Sequence, residues 1–89
     1  MSKVITKVDG RDLAHIVELD GHHYYIDSAL TFDCGYETMI FRAIPSEDGE
    51  FNGFKVIDWG ELYCERYPSE ERMKTRHAQI IEEIAVYVI

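Results

Sequence analysis

The chain has 89 residues, a formal net charge of −8 at pH 7, and a composition that is 46% hydrophobic and 12% aromatic. This length and composition predict one folded domain over residues 1–89 and exclude a disordered chain. The acidic excess argues against direct contact with nucleic-acid phosphates or anionic membranes. Because no apolar run could cross a bilayer and no secretory signal pattern opens the sequence, we expect a cytoplasmic protein.

Two Asp-Gly dipeptides predict tight hairpins in the first third of the chain. Asp-Gly tolerates the positive φ angles of a two-residue loop, so Asp9-Gly10 and Asp20-Gly21 predict strands over about 3–9, 12–19 and 22–32. This register pairs Val4 with His15 and Leu19 with His22. It gathers one apolar face from Val4, Val8, Leu13, Val17, Leu19, Tyr24 and Ile26. The opposite face is predicted to be mostly polar, with Ile16 and Tyr25 among charged side chains and Glu18 opposite His23.

The rest of the chain predicts further strands and then a helix. Alternation predicts a strand over about 36–44, turn-forming residues predict a loop over 45–53, and a short strand follows over about 54–59. Segment 61–67 fits either a strand or irregular structure. Ser69 suits the N-cap of an amphipathic helix over about 70–88, with Met73, His77 and Ile80 in its apolar stripe. The predicted fold class is α+β: an antiparallel β-meander of four to six strands packed on one C-terminal α-helix.

No motif with a diagnostic spacing indicates catalysis, a metal or a cofactor. His22 and His23 are successive strand residues and point to opposite faces, so they cannot chelate one ion together. Cys34 and Cys64 belong to no C-x-x-C pair. We therefore expect a non-enzymatic protein with no catalytic residue, no metal and no cofactor. The alternative in this class is a small metal- or thiol-dependent enzyme in which His77 works with Cys34 or Cys64.

Two kinds of binding protein are compatible with the acidic surface. A nucleic-acid mimic would present carboxylates to a host or defence protein that normally grips phosphate, and the candidates are Glu47, Asp48, Glu50, Glu61, Glu65, Glu70, Glu71, Glu82 and Glu83. Basic residues interrupt this series, and a mixed acidic surface is also what solubility requires. Self-association through a sheet edge or the apolar chain end is the other alternative to an unidentified protein partner.

An ordered series of motifs carries a resemblance to a family. The series is "GYETMIF" (35–41), Asp58-Trp59, Arg66-Tyr67, "SEE" (69–71) and His77. It resembles small proteins encoded in bacteriophages and prophages, and the likeness spans about half of the chain, from Gly35 to His77. Ile40 stands where that family usually has valine.

The resemblance implies a phage or prophage accessory protein in the cytoplasm of a bacterial host, but no activity to transfer. Joined to the missing catalytic motifs, it predicts a protein that acts by protein–protein binding. The residues predicted to contact the partner are Tyr36, Glu37, Met39, Trp59, Tyr67 and His77.

Overall fold

Residues 2–88 are described by a computed structural model with five antiparallel strands followed by two helices. The elements are β1 (Ser2–Lys7), β2 (Leu13–Leu19), β3 (His22–Thr31), β4 (Gly35–Pro45), β5 (Phe54–Tyr67), α1 (Glu70–Glu82) and α2 (Ile84–Tyr87). The strands lie side by side in chain order, so hairpins make every connection within the sheet. Helix α1 packs on one face, which confirms the predicted α+β fold. Within this range neither helix has the length and apolar character needed to span a membrane.

The second hairpin forms in the predicted register. Asp20 and Gly21 both adopt positive φ angles, 52° and 83°, as a two-residue loop of this kind requires. Leu19 pairs with His22, and the pairing continues without a shift along the whole of β2. The predicted contact between Glu18 and His23 is confirmed, with the carboxylate 3.6 Å from the imidazole.

The predicted register of the first hairpin is wrong. Val4 pairs with Val17 rather than with His15, and the register shifts between Val4 and Thr6. At the turn, Gly10 has a positive φ but Asp9 does not, so the loop is not the tight two-residue type. The Asp9 N–H instead donates to the Asn52 side chain at 3.0 Å. A contact with the distant 46–53 loop therefore replaces the local turn geometry that the dipeptide suggests.

Both faces of the sheet are covered by apolar side chains. The helix-side core consists of Val17, Ile26, Ile40, Ile80 and Ile84. The loop-side core consists of Val8, Ala14, Ile16, Tyr25, Phe41, Ala43 and Phe51. The prediction of a mostly polar second face is therefore wrong for Ile16 and Tyr25. These residues are buried because the 46–53 loop places the Phe51 ring over the sheet, 4.3 Å from the Tyr25 ring.

The later elements follow the sequence pattern with two differences. Segments 54–59 and 61–67 form the single strand β5, whose register shifts where it passes Arg42. Ser69 caps α1 as predicted, and its hydroxyl accepts the Arg72 N–H at 3.2 Å. The helix ends at Glu82 rather than near residue 88, since glutamates are unfavourable at a helix C-terminus. The short helix α2 follows after Glu83.

Candidate functional site

A chain of polar side chains crosses the interface between the sheet and α1. Helix α1 contributes His77, whose Nδ1 lies 2.6 Å from Ser28 Oγ of β3 and whose Nε2 lies 2.9 Å from His15 Nδ1 of β2. Ser28 Oγ is 2.5 Å from Thr38 Oγ1 of β4. The Tyr67 hydroxyl of β5 donates to Thr38 Oγ1 at 2.8 Å. Four strands and a helix thus meet in one polar chain, His15–His77–Ser28–Thr38–Tyr67.

The two histidines in this polar chain are neutral at pH 7. Burial, with a smaller contribution from neighbouring His15, lowers the pKa of His77 to about 4. Burial and then the Lys7 charge lower the pKa of His15 below its ordinary value. Neutral imidazole has one donor and one acceptor nitrogen, so each ring can take part in a directional series of hydrogen bonds.

Tyr67 closes the far end of the polar chain. Burial raises the pKa of Tyr67 to about 12, so its hydroxyl keeps its proton at neutral pH. The nearby Glu65 carboxylate accepts hydrogen bonds from Arg76, at 2.7 and 3.0 Å, and from Tyr63. These bonds, with Arg76 contributing most, lower the pKa of Glu65 to about 2. In the contact between Tyr67 and Thr38, the Tyr67 hydroxyl is the donor and Thr38 Oγ1 the acceptor.

The other end of the polar chain opens into a groove. The α1 groove has a volume of about 850 Å³ and runs between α1 and the β1–β3 side of the sheet, with His15 and His77 among its lining residues. Its size lies within the range of small-molecule pockets. Its apolar lining includes Val4, Leu13, Leu30, Met73, Ala78 and Ile81. Its charged lining residues are Asp12, Glu70, Lys74 and Glu82.

Two exposed apolar residues, Val4 and Leu30, line the α1 groove, and a third, Phe32, follows Leu30 closely in the chain. Leu30 is 64% exposed although it lies in β3, and Val4 is half exposed in the edge strand β1. Phe32, in the turn that follows β3, is fully exposed. Exposed apolar side chains at a groove are typical of an interaction surface. We refer to Val4, Leu30 and Phe32 as the apolar rim.

The structure places the six predicted partner-binding residues at different depths. Trp59 is 58% exposed and packs edge-on against Phe41 and Phe51. Tyr36 and Met39 are half-buried, and Tyr36 lines the α1 groove. The remaining three are buried, namely Glu37, Tyr67 and His77. Tyr36, Tyr67 and His77 therefore belong to the groove or its polar chain, whereas Glu37, Met39 and Trp59 lie on the loop side of the sheet.

His77 does not pair with a cysteine. Its partners are His15 and Ser28, whereas the Cys64 thiol lies 3.9 Å from Glu37 and the Cys34 sulfur lies 3.4 Å from Arg66. Burial, with the Glu37 charge, raises the pKa of the Cys64 thiol, which opposes thiolate formation. Among residues 2–88 no three His, Cys, Asp or Glu side chains are placed to hold one metal ion.

Ser28 and His77 also form a hydroxyl–imidazole pair, the first requirement of an activated serine. Ser28 is completely buried between Thr38 and His77, however, so a substrate cannot reach its oxygen. The pair therefore acts structurally here: it fixes the orientation of the His77 ring, and through it that of His15.

Three members of the polar chain were not among the residues predicted from the sequence to bind a partner: His15, Ser28 and Thr38. Ser28 shares a strand face with Ile26, and Thr38 shares one with Ile40, so each interrupts an otherwise apolar face. His77 interrupts the apolar stripe of α1 in the same way. Buried polar groups need hydrogen-bond partners. Polar residues on three apolar faces that pack into one core, Ser28, Thr38 and His77, therefore indicate that these side chains bond to one another.

Comparisons with models of protein families, with curated proteins and with solved structures found no match to this chain.

Proposed function

We propose that this protein is a non-enzymatic accessory protein, of the kind phages and prophages encode, that binds a segment of another protein in the α1 groove. The segment would insert an apolar side chain between α1 and the sheet and cover the apolar rim. The alternative enzyme, with His77 acting on a cysteine, has little support because the contacts of His77 are with other groups.

The observation that supports this proposal most directly is the exposure of the apolar rim beside a groove of suitable size. Leu30 and Phe32 are large apolar side chains that a monomer leaves in water. Burying such side chains is favourable by roughly 1.5–3 kcal/mol each. A partner that covers both would gain enough free energy to offset part of the cost of association.

The charges around the groove indicate the chemistry of the partner. Of the four charged lining residues, Asp12, Glu70 and Glu82 are acidic, and Lys74 pairs with Glu70 at 3.5 Å. The local charge is therefore negative, like that of the whole chain. Basic side chains flanking the apolar anchor would complement this rim.

The test compares two sets of serine substitutions in a binding experiment. A partner captured from a bacterial host lysate is identified, purified and titrated against the wild type and against Leu30→Ser with Phe32→Ser. We expect the rim variant to bind at least tenfold more weakly. The matched control is Ile57→Ser with Val86→Ser, which alters two exposed apolar residues outside the groove and should leave affinity unchanged.

Unchanged binding of the partner by the rim variant would refute the proposal. Titration at two salt concentrations separates it from nucleic-acid mimicry. Apolar anchoring predicts a modest salt dependence, whereas a mimic would bind far more weakly at high salt and be displaced by DNA. Sedimentation at several concentrations shows whether the rim instead joins two copies of this chain.

A further inference from the structure

We infer that His15 is the specificity-determining residue of the α1 groove: it presents an N–H to the bound segment, which must place a carbonyl oxygen against it. This inference rests on the proposed function, because it names the group that the groove recognises. It follows from the direction of the hydrogen bonds in the polar chain.

The direction is set at Tyr67. Thr38 Oγ1 accepts the Tyr67 proton, so the hydrogen of Thr38 is free to point to Ser28. In the opposite direction Ser28 would donate to Thr38, and the buried Thr38 hydrogen would have no partner among the bonds of residues 2–88. An unpaired buried donor costs about 1–3 kcal/mol. When donation runs from Tyr67 towards His15, the hydrogens of the three hydroxyl groups and of His77 all have partners within the polar chain.

The same direction fixes the state of both imidazoles. Ser28 donates to His77 Nδ1, so neutral His77 carries its hydrogen on Nε2 and donates it to His15 Nδ1. His15 Nδ1 is then an acceptor, and the hydrogen of neutral His15 lies on Nε2. This nitrogen has no hydrogen-bond partner among the described side chains, and His15 lines the groove.

A carbonyl oxygen is the acceptor that fits this donor best. A carboxylate would bring negative charge to a groove that already holds Asp12, Glu70 and Glu82, whereas a backbone carbonyl brings none. An amine or guanidinium placed at the same point would bring its own N–H against the His15 N–H, and no hydrogen bond could form between two donors. The bound segment therefore offers a peptide carbonyl to His15, and any basic side chains it carries meet the acidic rim.

Two measurements on the isolated protein test this inference without the partner. Long-range proton–nitrogen NMR of histidine-labelled protein at pH 7 gives the tautomer of each ring, and we expect hydrogen on Nε2 of both His15 and His77. A probe pair then tests recognition. N,N-dimethylbenzamide has a carbonyl acceptor and no N–H donor, and isopropylbenzene is its hydrocarbon analogue.

We expect the amide to bind with a Kd on the order of millimolar, as small ligands do, and to shift the signals of His15 Nε2 and of Met73 in the groove. His15→Leu should weaken amide binding about fivefold, which is the usual effect of one neutral hydrogen bond, without weakening the hydrocarbon. His15→Gln keeps a donor and should restore most of the amide affinity.

The inference fails if His15 carries its hydrogen on Nδ1, if the amide does not bind in the groove, or if His15→Leu leaves amide binding unchanged. Should His15→Leu not fold, the wild-type tautomer and the His15→Gln titration decide the question. These readouts need no partner. A rim variant that kept its partner would overturn the proposed function while leaving the tautomer and probe results in place.

Discussion

Lowering the pH from 7 to about 5 should destabilise the protein through His77. The folded state holds this imidazole neutral between Ser28 and His15, and burial lowers its pKa to about 4. The unfolded chain exposes the same imidazole to water, where its pKa is about 6.5. Between these two values the unfolded chain binds a proton that the folded chain does not, so acid favours unfolding.

The size of the effect follows from these two pKa values. The contribution of neutral His77 is complete above about pH 6.5 and is lost as the pH falls towards 4, at up to about 1.4 kcal/mol per pH unit. Between pH 7 and about pH 5 the loss is about 2 kcal/mol. For a chain of this length the corresponding fall in Tm is roughly 8–15 °C. The lowered pKa of His15 acts in the same direction.

Two carboxylates with shifted pKa values, Glu65 and Asp27, must be separated from the effect of His77 on the stability between pH 7 and about pH 5. Glu65, whose pKa is lowered to about 2 by Arg76, contributes stability that is lost only below about pH 4.5, outside the range tested. Burial raises the pKa of Asp27, so its effect has the opposite sign. A difference between variants removes both contributions, because neither carboxylate is altered.

Urea denaturation at the two pH values measures the loss for the wild type, for His77→Gln and for His22→Gln. We expect the loss to shrink by about 2 kcal/mol in His77→Gln, which has no titrating ring at this position. His22 is exposed at the second hairpin and takes no part in the polar chain, so its replacement is the matched control for a histidine substitution. An equal loss in the wild type and His77→Gln would refute this account of the buried imidazole.

Three further substitutions, each with a control or a local readout, test the fold. Phe51→Ala removes the ring that covers the loop-side core and should cost about 3–5 kcal/mol in chemical denaturation, whereas Phe32→Ala, at a fully exposed ring, should change stability by less than about 0.5 kcal/mol. Arg76→Met keeps the aliphatic stem but removes a bidentate carboxylate contact, and should cost about 1–3 kcal/mol, against less than about 1 kcal/mol for Lys74→Met in an exposed pair. Gly49→Ala would place a methyl group against the backbone of the facing end of its own loop, and should cost about 2 kcal/mol or more and alter the near-UV signal of the aromatic side chains. The packing of Phe51 would be contradicted if Phe51→Ala left the denaturation midpoint unchanged. The Arg76 contact would be contradicted if Arg76→Met and Lys74→Met cost the same stability, and the close approach at Gly49 would be contradicted if Gly49→Ala kept the stability and near-UV signal of the wild type.

The elements that could be predicted from the sequence are those determined by local chemistry. Asp20-Gly21 forms a two-residue turn whose own backbone angles fix the register of β2 against β3. Ser69 caps α1 through a hydrogen bond to a residue in the first turn of that helix. Neither feature requires knowledge of a distant residue, and both predictions are confirmed.

The features that could not be predicted depend on contacts between distant residues. The Asp9 N–H binds Asn52, which lies far along the chain, and this contact accompanies a loop and bulge that reverse the face of Val8. Phe51 lies in a segment whose composition predicts only a polar loop. Its ring nevertheless covers Tyr25 and completes the loop-side core. Hydrophobic alternation shows that a strand has an apolar face, but not which loop will return to cover the other face.

The candidate site was partly visible in the sequence. His77 stands out as a polar residue in the apolar stripe of α1, but the side chains that meet it come from two separate strands. Ser28 and Thr38 became neighbours only through the register of β3 against β4. The apolar rim was not visible either, because Leu30 shares a strand face with the buried Ile26, and alternation alone predicts that both are covered.

The polar chain also restricts how α1 can sit on the sheet. Apolar side chains such as Met73 and Ile80 would find similar contacts if the helix slid along its axis by one turn, because apolar contact has little directional preference. His77 has no such freedom, since the same slide would carry both of its ring nitrogens away from Ser28 and His15. The single imidazole of His77 thus fixes the axial position of α1 on the sheet. Replacing it with leucine would be expected to preserve helix content while allowing several alignments, visible as multiple or broadened NMR signals from α1.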